Sequence, residues 1–265
     1  AGWGFLFRAV FGEIRSRSPL KRSDGIYTGA VFVYTKMLMK LVEDTDADHI
    51  AVLFDTKRKT FRNDIYEDYK ANREAPPEEL IPQFDLVRRA TDALNVARVE
   101  MEGYEADDLI ATYARQAAEA GAEVTIVSSD KDLMQLVTDK VTMYDAMKNK
   151  QIGPDEVVEK FGVKPDRVID VQALAGDSTD NVPGIRGIGI KTAAQLINDY
   201  GDLDSLLARA EDVKQPKKRE SLINEADAAR VSRQLVTLRD DVPVEVALAD
   251  FAVKTPEPDH VFGFL

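Results

Sequence analysis

The chain contains no cysteine and only two histidines, His49 and His260, which lie far apart. Disulfides and thiolate sites are therefore excluded, and a histidine-rich zinc site is not expected. No apolar run approaches the length of a bilayer-spanning helix, and no basic-then-apolar signal pattern opens the chain. No membrane partner is expected, and the expected compartment is the cytoplasm. Basic charge is also scarce: 35 Lys and Arg stand against 47 Asp and Glu, a net charge of -12. That balance weighs against nucleic acid as a partner, because phosphate binding is driven by basic surfaces, but net charge averages over faces. Local basic clusters persist in the acidic background: Lys57-Arg58-Lys59 with Arg62, then Lys70 and Arg73, then Lys214, Lys217, Lys218 and Arg219. Taken singly, each is an ordinary solvated surface.

What the chain does have is acid in an unusual pattern. Glu102-Gly-Tyr-Glu105-Ala-Asp107-Asp108 places three carboxylates in four residues, directly before an apolar run. Leu109, Ile110, Tyr113, Ala114 and Ala117 recur at helical spacing and Gly121 supplies a stop, so the acids fall in the first turn of a helix. One or two acids there complement the helix dipole. Three exceed what capping uses, and a hard divalent cation held by carboxylate oxygens would relieve the repulsion, with further carboxylates arriving from elsewhere.

Such carboxylates exist. His49-Ile-Ala-Val-Leu-Phe54-Asp55 is a short apolar strand ending in an aspartate, and Glu123 to Ser129 followed by Asp130-Lys-Asp132 repeats the design. Strands alternating with helices indicate a parallel sheet, in which function gathers at the carboxyl ends of the strands. One aspartate after a strand is often only a helix cap. Two strands plus the triplet favour convergence. Thr28 to Val42 reads as a helix. The segment with Thr60-Phe-Arg62, Tyr66, Tyr69-Lys70-Ala-Asn-Arg73 and Pro76-Pro77 interleaves basic and aromatic residues, which suits a surface that tracks a nucleic-acid backbone.

From Pro154 onward the pattern is mainly helical, and a domain boundary is expected near residue 150. Gly176-Asp177-Ser-Thr-Asp180-Asn-Val-Pro-Gly184 supplies two aspartates three apart beside a turn, a spacing that an N-cap with a turn would also explain. Gly184-Ile-Arg-Gly187-Ile-Gly189-Ile-Lys191-Thr192 is a glycine-rich hairpin opening a helix. Backbone amides there can approach a phosphate closely, without reading sequence. The spacing is wrong for a nucleotide-binding P-loop and no strand precedes it.

Six motifs in this order resemble the bacterial 5′ nuclease family, comprising the 5′ to 3′ exonuclease domain of DNA polymerase I and stand-alone flap endonucleases. They are Phe54-Asp55, Tyr69-Lys-Ala-Asn-Arg73, Gly103-Tyr-Glu-Ala-Asp-Asp108, Asp130-Lys-Asp132, Gly176-Asp-Ser-Thr-Asp-Asn-Val-Pro-Gly184 and Gly187-Ile-Gly-Ile-Lys-Thr192. The resemblance implies an α/β fold: a PIN-like parallel sheet flanked by helices over residues 1–150, with a helical arch at about 57–85. A mainly helical helix-hairpin-helix subdomain follows over 151–265. It implies metal-assisted phosphodiester hydrolysis with two Mg²⁺ or Mn²⁺ ions roughly 4 Å apart. Asp55, Glu105, Asp107 and Asp108 would serve the first ion, directly or through water, and Asp130, Asp132, Asp177 and Asp180 the second. Lys70 and Arg73 become catalytic residues of the arch, steadying the scissile phosphate. Arg62, Tyr69, Lys70, Arg73, Gly184, Gly187, Gly189, Lys191 and Thr192 become DNA contacts, with K⁺ at the hairpin. The implied partner is DNA as a 5′ flap, nick or branched duplex, in a bacterial, nucleoid-associated setting. A monomer is expected, linked to a polymerase domain in a longer parent protein.

One position departs from the family. Its first strand ends in an aspartate followed by glycine, and here Ala1 precedes Gly2 in a chain that opens abruptly, as if cut. The expectation is a missing first-site carboxylate and impaired catalysis with DNA binding retained. A catalytically silent branched-DNA binder is thus the competing reading. A PIN-like ribonuclease is a third, against which the hairpin and the Tyr69 to Arg73 segment count.

Overall fold

The computed structural model describes residues 20–56 and 59–264. The readings that fall on Ala1, Lys57 and Arg58 lie outside the described residues. In chain order the elements are α1 (Gly29–Asp44), β1 (Ala51–Phe54), α2 (Arg62–Ile65), α3 (Ile81–Ala93), β2 (Ala97–Glu100), α4 (Ala106–Glu119), β3 (Val124–Val127), β4 (Val141–Asp145) and β5 (Lys150–Ile152). Helices α5 (Pro154–Phe161), α6 (Val168–Ala175), α7 (Ile190–Tyr200), α8 (Leu203–Ala208), α9 (Pro216–Asn224), α10 (Ala226–Val236) and α11 (Pro258–Phe264) follow. A 3-10 turn covers Lys131–Leu136 and another Leu248–Phe251. Strands end at Ile152 and helices dominate from Pro154, the change of character on which the expected boundary near 150 rests.

By compactness the chain forms two units. One comprises Ala1–Thr56, Glu74–Met101 and Pro243–Leu265; the other comprises Lys57–Arg73 and Glu102–Val242. In the first, β1 and β2 pair in parallel, Ala51 opposite Ala97 and Phe54 opposite Glu100. Ala30, Val31, Phe54, Leu80, Val87 and Ala90 form its core. Gln83 ties α1 to α3: its Oε1 accepts from the backbone N–H of Ala30 at 2.9 Å, satisfying a donor that the start of α1 would otherwise bury unpaired. The chain after Pro243 returns here, with Ile50 N–H donating to Phe251 O and Val253 N–H to Asp48 O.

In the second unit β3 and β4 are parallel, and β5 adds an antiparallel edge beside β4. Helix α4 buries Leu109, Tyr113 and Ala114 of the expected apolar face and Ala111 and Thr112 besides, while Ile110 and Ala117 are half-buried. In the helical part, α6 buries Val168, Val171 and Leu174 completely. The loop from Gly176 to Gly184 folds back on the end of α6. Asp177 and Val182 exchange backbone hydrogen bonds at 3.0 and 2.7 Å, and Ile185 N–H donates to Leu174 O. The closure is so tight that a Cβ on Gly184 would stand 2.4 Å from the backbone nitrogen of Gly176, and Gly184 has φ +61°. Gly184→Ala is accordingly expected to destabilise the chain by about 2 kcal/mol or more, read from the midpoint of urea unfolding.

The segment expected as a helical arch differs. Between Lys59 and Leu80 the only helix is the four-residue α2; the rest is turns, with Lys70 at φ +57°. Backbone bonds hold these turns, with Tyr69 N–H donating to Tyr66 O and Ala71 N–H to Asp68 O, and side chains add to them: Asn63 Nδ2 donates to Tyr69 O, and Asn72 Nδ2 to Ser178 O at 2.7 Å. Strand β2, Ala-Arg-Val-Glu, carries two charges in four residues, and Arg98 pairs with Glu100 at 2.6 Å, which hides its apolar character from a sequence reading.

Candidate active site

The second unit gathers seven of the eight acids expected as ligands. Glu105 is the N-cap of α4, and Asp107 and Asp108 stand in its first turn. Asp130 and Asp132 follow β3: Asp130 Oδ1 accepts from Asp132 N–H at 3.0 Å and so caps the 3-10 turn. Asp177 and Asp180 lie on the loop after α6. Cations interleave them. Lys70 Nζ is 2.7 Å from Glu105 Oε2 and 3.7 Å from Asp180 Oδ2, so one ammonium bridges two acids. Arg73 pairs with Asp180, and Lys131 Nζ is 2.5 Å from Asp177 Oδ2. Asp177 also turns its own loop, Oδ1 accepting from Thr179 N–H at 2.7 Å. The turn of the cap reading is therefore present at Asp177, but no helix starts there. The eighth acid, Asp55, follows β1 in the first unit, where its carbonyl accepts from Arg88 Nη2 at 3.1 Å.

Asp108 differs from its neighbours. It is 0% exposed, and both oxygens are spent on protein donors. Arg62 Nη1 and Nη2 each meet one oxygen at 2.7 Å, a bidentate pair; Glu105 N–H donates to Oδ2 at 3.0 Å and Arg239 N–H to Oδ1 at 2.9 Å. Four donors fill the acceptor capacity of a carboxylate. Arg62, 1% exposed, spends two further donors on Leu235 O at 2.7 Å and Thr237 O at 3.1 Å. Burial opposes its charge, but Asp108 and Glu105 outweigh that and hold it protonated. Arg62 is thus a buried clamp between α2, α4 and the end of α10, and this corrects its placement among the DNA contacts. Tyr69 is buried as well, among Val182, Leu235 and Val236, with its hydroxyl 3.5 Å from Glu105 Oε2; its ring is not open to a base.

Electrostatics mark the Asp130–Asp132 turn as crowded with negative charge. Burial, then Asp130, then Asp107 raise the Asp132 carboxyl, which is pushed up to about 7 against the pull of Lys131. Burial works against charge on Lys131, but the hydrogen bond to Asp177 and the nearness of Asp132, Asp177 and Asp130 raise its pKa. Among the described residues no three of these acids form a ready-made cage, their oxygens being turned to Lys70, Arg73, Lys131 and Arg62. An all-oxygen, acid-rich set of this kind fits a hard divalent ion that keeps much of its water, and would not fit a soft metal.

The hairpin is organised by two buried isoleucines, Ile185 and Ile188, while Gly187, Gly189 and Lys191 face solvent. Gly184 N–H donates to Ser232 Oγ at 2.9 Å and Arg186 N–H to Glu225 Oε2 at 2.7 Å, fixing the hairpin on α10 and the residue before it. A Cβ at Gly189 would meet nothing within 4 Å. No internal contact requires glycine there, so the open space lies on the outside, at the start of α7, where an anion could approach the amides.

Residues 2–162 match the 5′-3′ exonuclease N-terminal resolvase-like domain, and residues 163–259 the 5′-3′ exonuclease C-terminal SAM fold. The chain belongs to the 5′-3′ exonuclease family. Among relatives of this family it is 56% identical to DNA polymerase I of Rhizobium leguminosarum over all of this chain, which spans 26% of that protein. It is 41% identical to the 5′-3′ exonuclease of Bacillus subtilis, over 94% of this chain and 85% of that one. In fold it resembles the bacteriophage T5 5′-exonuclease solved with divalent zinc ions, with TM-score 0.74 and 22% identity over 90% of this chain and 88% of that one. The T5 flap endonuclease in a pseudo-enzyme–product complex with DNA and metal ions gives the same TM-score, 0.74, at 24% identity over 90% and 87% of the two chains. The fold is therefore the PIN-like, resolvase-like sheet-and-helix domain of the 5′-3′ exonucleases followed by a helical SAM-like part.

Within that 5′-3′ exonuclease frame, sequence reasoning missed two glutamines beside the acids. Gln135 Nε2 donates to the backbone carbonyls of Asp132 and Val236, each at 2.9 Å, and Gln172 Nε2 donates to Asp132 Oδ1 at 2.5 Å. The available signal was Gln172 as an isolated amide in the apolar run Val-Ile-Asp-Val-Gln-Ala-Leu-Ala.

Proposed function

We propose that the chain is a structure-specific 5′ nuclease that hydrolyses phosphodiester bonds at 5′ ends, flaps and nicks in replication and repair. The observation that carries this reading is the acid cluster of the second unit, interleaved with Lys70, Arg73 and Lys131, in a chain that also presents a solvent-facing glycine hairpin. Glu105, Asp107, Asp130, Asp132, Asp177 and Asp180 are the residues of the second unit that would hold Mg²⁺ or Mn²⁺. Divalent ions bound there supply an activated water and stabilise the leaving oxygen. The chain's own residues do the rest. Lys70 and Arg73 bring positive charge beside the acids, where negative charge builds on the scissile phosphate. Asp108 is removed from the ligand set: its part is to lock the first turn of α4, and with it Glu105 and Asp107, to Arg62.

The hairpin from Gly184 to Thr192 holds duplex backbone through amides and Lys191, with K⁺ on its carbonyls. In a longer parent protein a polymerase domain would follow, and the protein would act as a cytoplasmic monomer. Lys191→Ala is expected to weaken duplex binding uniformly across sequences and to flatten the plot of log affinity against log salt by about one unit of slope. Fluorescence anisotropy across a salt series reads both quantities.

The test of the reading is a 5′-labelled flap duplex incubated with the chain in Mg²⁺, Mn²⁺, Ca²⁺ or chelator and resolved on a denaturing gel. Short products near the junction in Mg²⁺ or Mn²⁺ only are expected. Tight binding in Ca²⁺ without product in any metal would leave a branched-DNA binder, and neither binding nor product would defeat both readings.

A further inference from the structure

Gln172 is 4% exposed, on α6, whose buried positions include Val168, Val171, Ala173 and Leu174. Its amide is used on one side only. Nε2 donates to Asp132 Oδ1 at 2.5 Å, while Oε1 is buried and no protein donor among the described residues reaches it. The assignment of N and O is the one that the ionised carboxylate requires, the form in which Asp132 would hold a cation, since an ionised carboxylate only accepts. A buried carbonyl without a partner costs stability, and an apolar side chain of the same shape would avoid that cost. Packing alone therefore gives no reason for an amide here. Its hydrogen bond to Asp132 does.

Asp132 is held on two further sides. Its N–H donates to Asp130 Oδ1 and its carbonyl accepts from Gln135 Nε2, which also reaches Val236 O; Leu238 N–H donates to Gln135 Oε1 at 3.0 Å. Gln135 fixes the backbone of Asp132, and Gln172 alone among the described protein donors reaches the carboxylate, through Oδ1. Oδ2 takes no protein donor among the described residues. We propose that Gln172 is a positioning residue: it fixes the rotation of the Asp132 carboxylate and leaves Oδ2 to a divalent cation, so that α6 of the helical part sets the metal affinity of the nuclease turn. This rests on the metal-dependent nuclease reading above.

The test is Mn²⁺ titration calorimetry on the whole chain without DNA, for wild type, Gln172→Leu and Gln172→Met, with thermal melting in chelator alongside. Loss of a partner that orients a ligand lowers metal affinity by about 10-fold or more. The expected result is that loss in both variants, with melting temperatures in chelator within about 4 °C of wild type, because the lost hydrogen bond and the removed orphan carbonyl offset. The Mn²⁺ concentration that half-saturates flap cleavage should rise in step, and in an Asp132→Asn background the substitutions at 172 should change Mn²⁺ binding no further. Unchanged affinity in the variants, or a melting temperature that falls well beyond that margin in both, would overturn the proposal by making Gln172 a packing residue. If wild type takes up no more Mn²⁺ than Asp132→Asn, the proposal falls as well; if wild type takes up no Mn²⁺ at all, the nuclease reading itself fails, a result distinct from the others.

Discussion

Asp130→Asn is expected to lower single-turnover cleavage of a 5′ flap by at least about 100-fold, because even residues that merely orient a metal ligand cost up to that much when removed. The choice of asparagine separates charge from structure. Asp130 caps the 3-10 turn by accepting from Asp132 N–H, and an asparagine oxygen can accept the same bond. Melting in chelator should therefore change little, and duplex affinity in Ca²⁺ should hold. Removal of one negative charge beside Asp132 also relieves part of the repulsion that pushes that carboxyl up to about 7. A variant that cleaves at the wild-type rate would take Asp130 out of the active set.

The second large effect is on stability. Arg62→Met is expected to cost about 3–5 kcal/mol in urea unfolding, the range for breaking a buried ion pair from one side. No discount for solvent screening applies, since Arg62 is 1% exposed and Asp108 is 0% exposed. The loss also strands the carbonyls of Leu235 and Thr237, which Arg62 holds at 2.7 and 3.1 Å. Removing both charges, as Arg62→Met with Asp108→Leu, should recover a large part of the loss, because the uncompensated carboxylate is gone. If the double variant were no better than the single one, the clamp would not be the source of the stability.

These two residues also show how far a sequence can be read. Asp130 was legible because its signal is local: a four-residue apolar strand followed within three residues by an acid. Helix α4 and its stop at Gly121, α7 from Ile190 and the hairpin before it were legible for the same reason, each carried by spacing within one element. The Arg62–Asp108 pair spans 46 residues. Nothing in the Thr-Phe-Arg motif distinguishes an arginine that meets DNA from one that is buried, and nothing in Asp107-Asp108 says which acid faces inward. The face does: Asp108 falls on the buried side of α4 with Leu109 and Thr112, and that placement decides its role. Within the segment expected as an arch, the described residues from Lys59 to Leu80 fold as turns around the four-residue α2, held by short-range backbone bonds such as Tyr69 N–H to Tyr66 O, which no hydrophobic spacing announces. Strand β2 was missed because its outward residues, Arg98 and Glu100, pair with each other.

The most direct measurement is anomalous diffraction from crystals of the chain grown with Mn²⁺. The expected result is Mn²⁺ density beside the carboxylates of Asp107, Asp130 and Asp132, with Asp108 still paired to Arg62. Density on Asp108 with Arg62 displaced, or none at any of these acids in crystals that bind Mn²⁺ elsewhere, would contradict the division of the acids into metal ligands and a buried clamp.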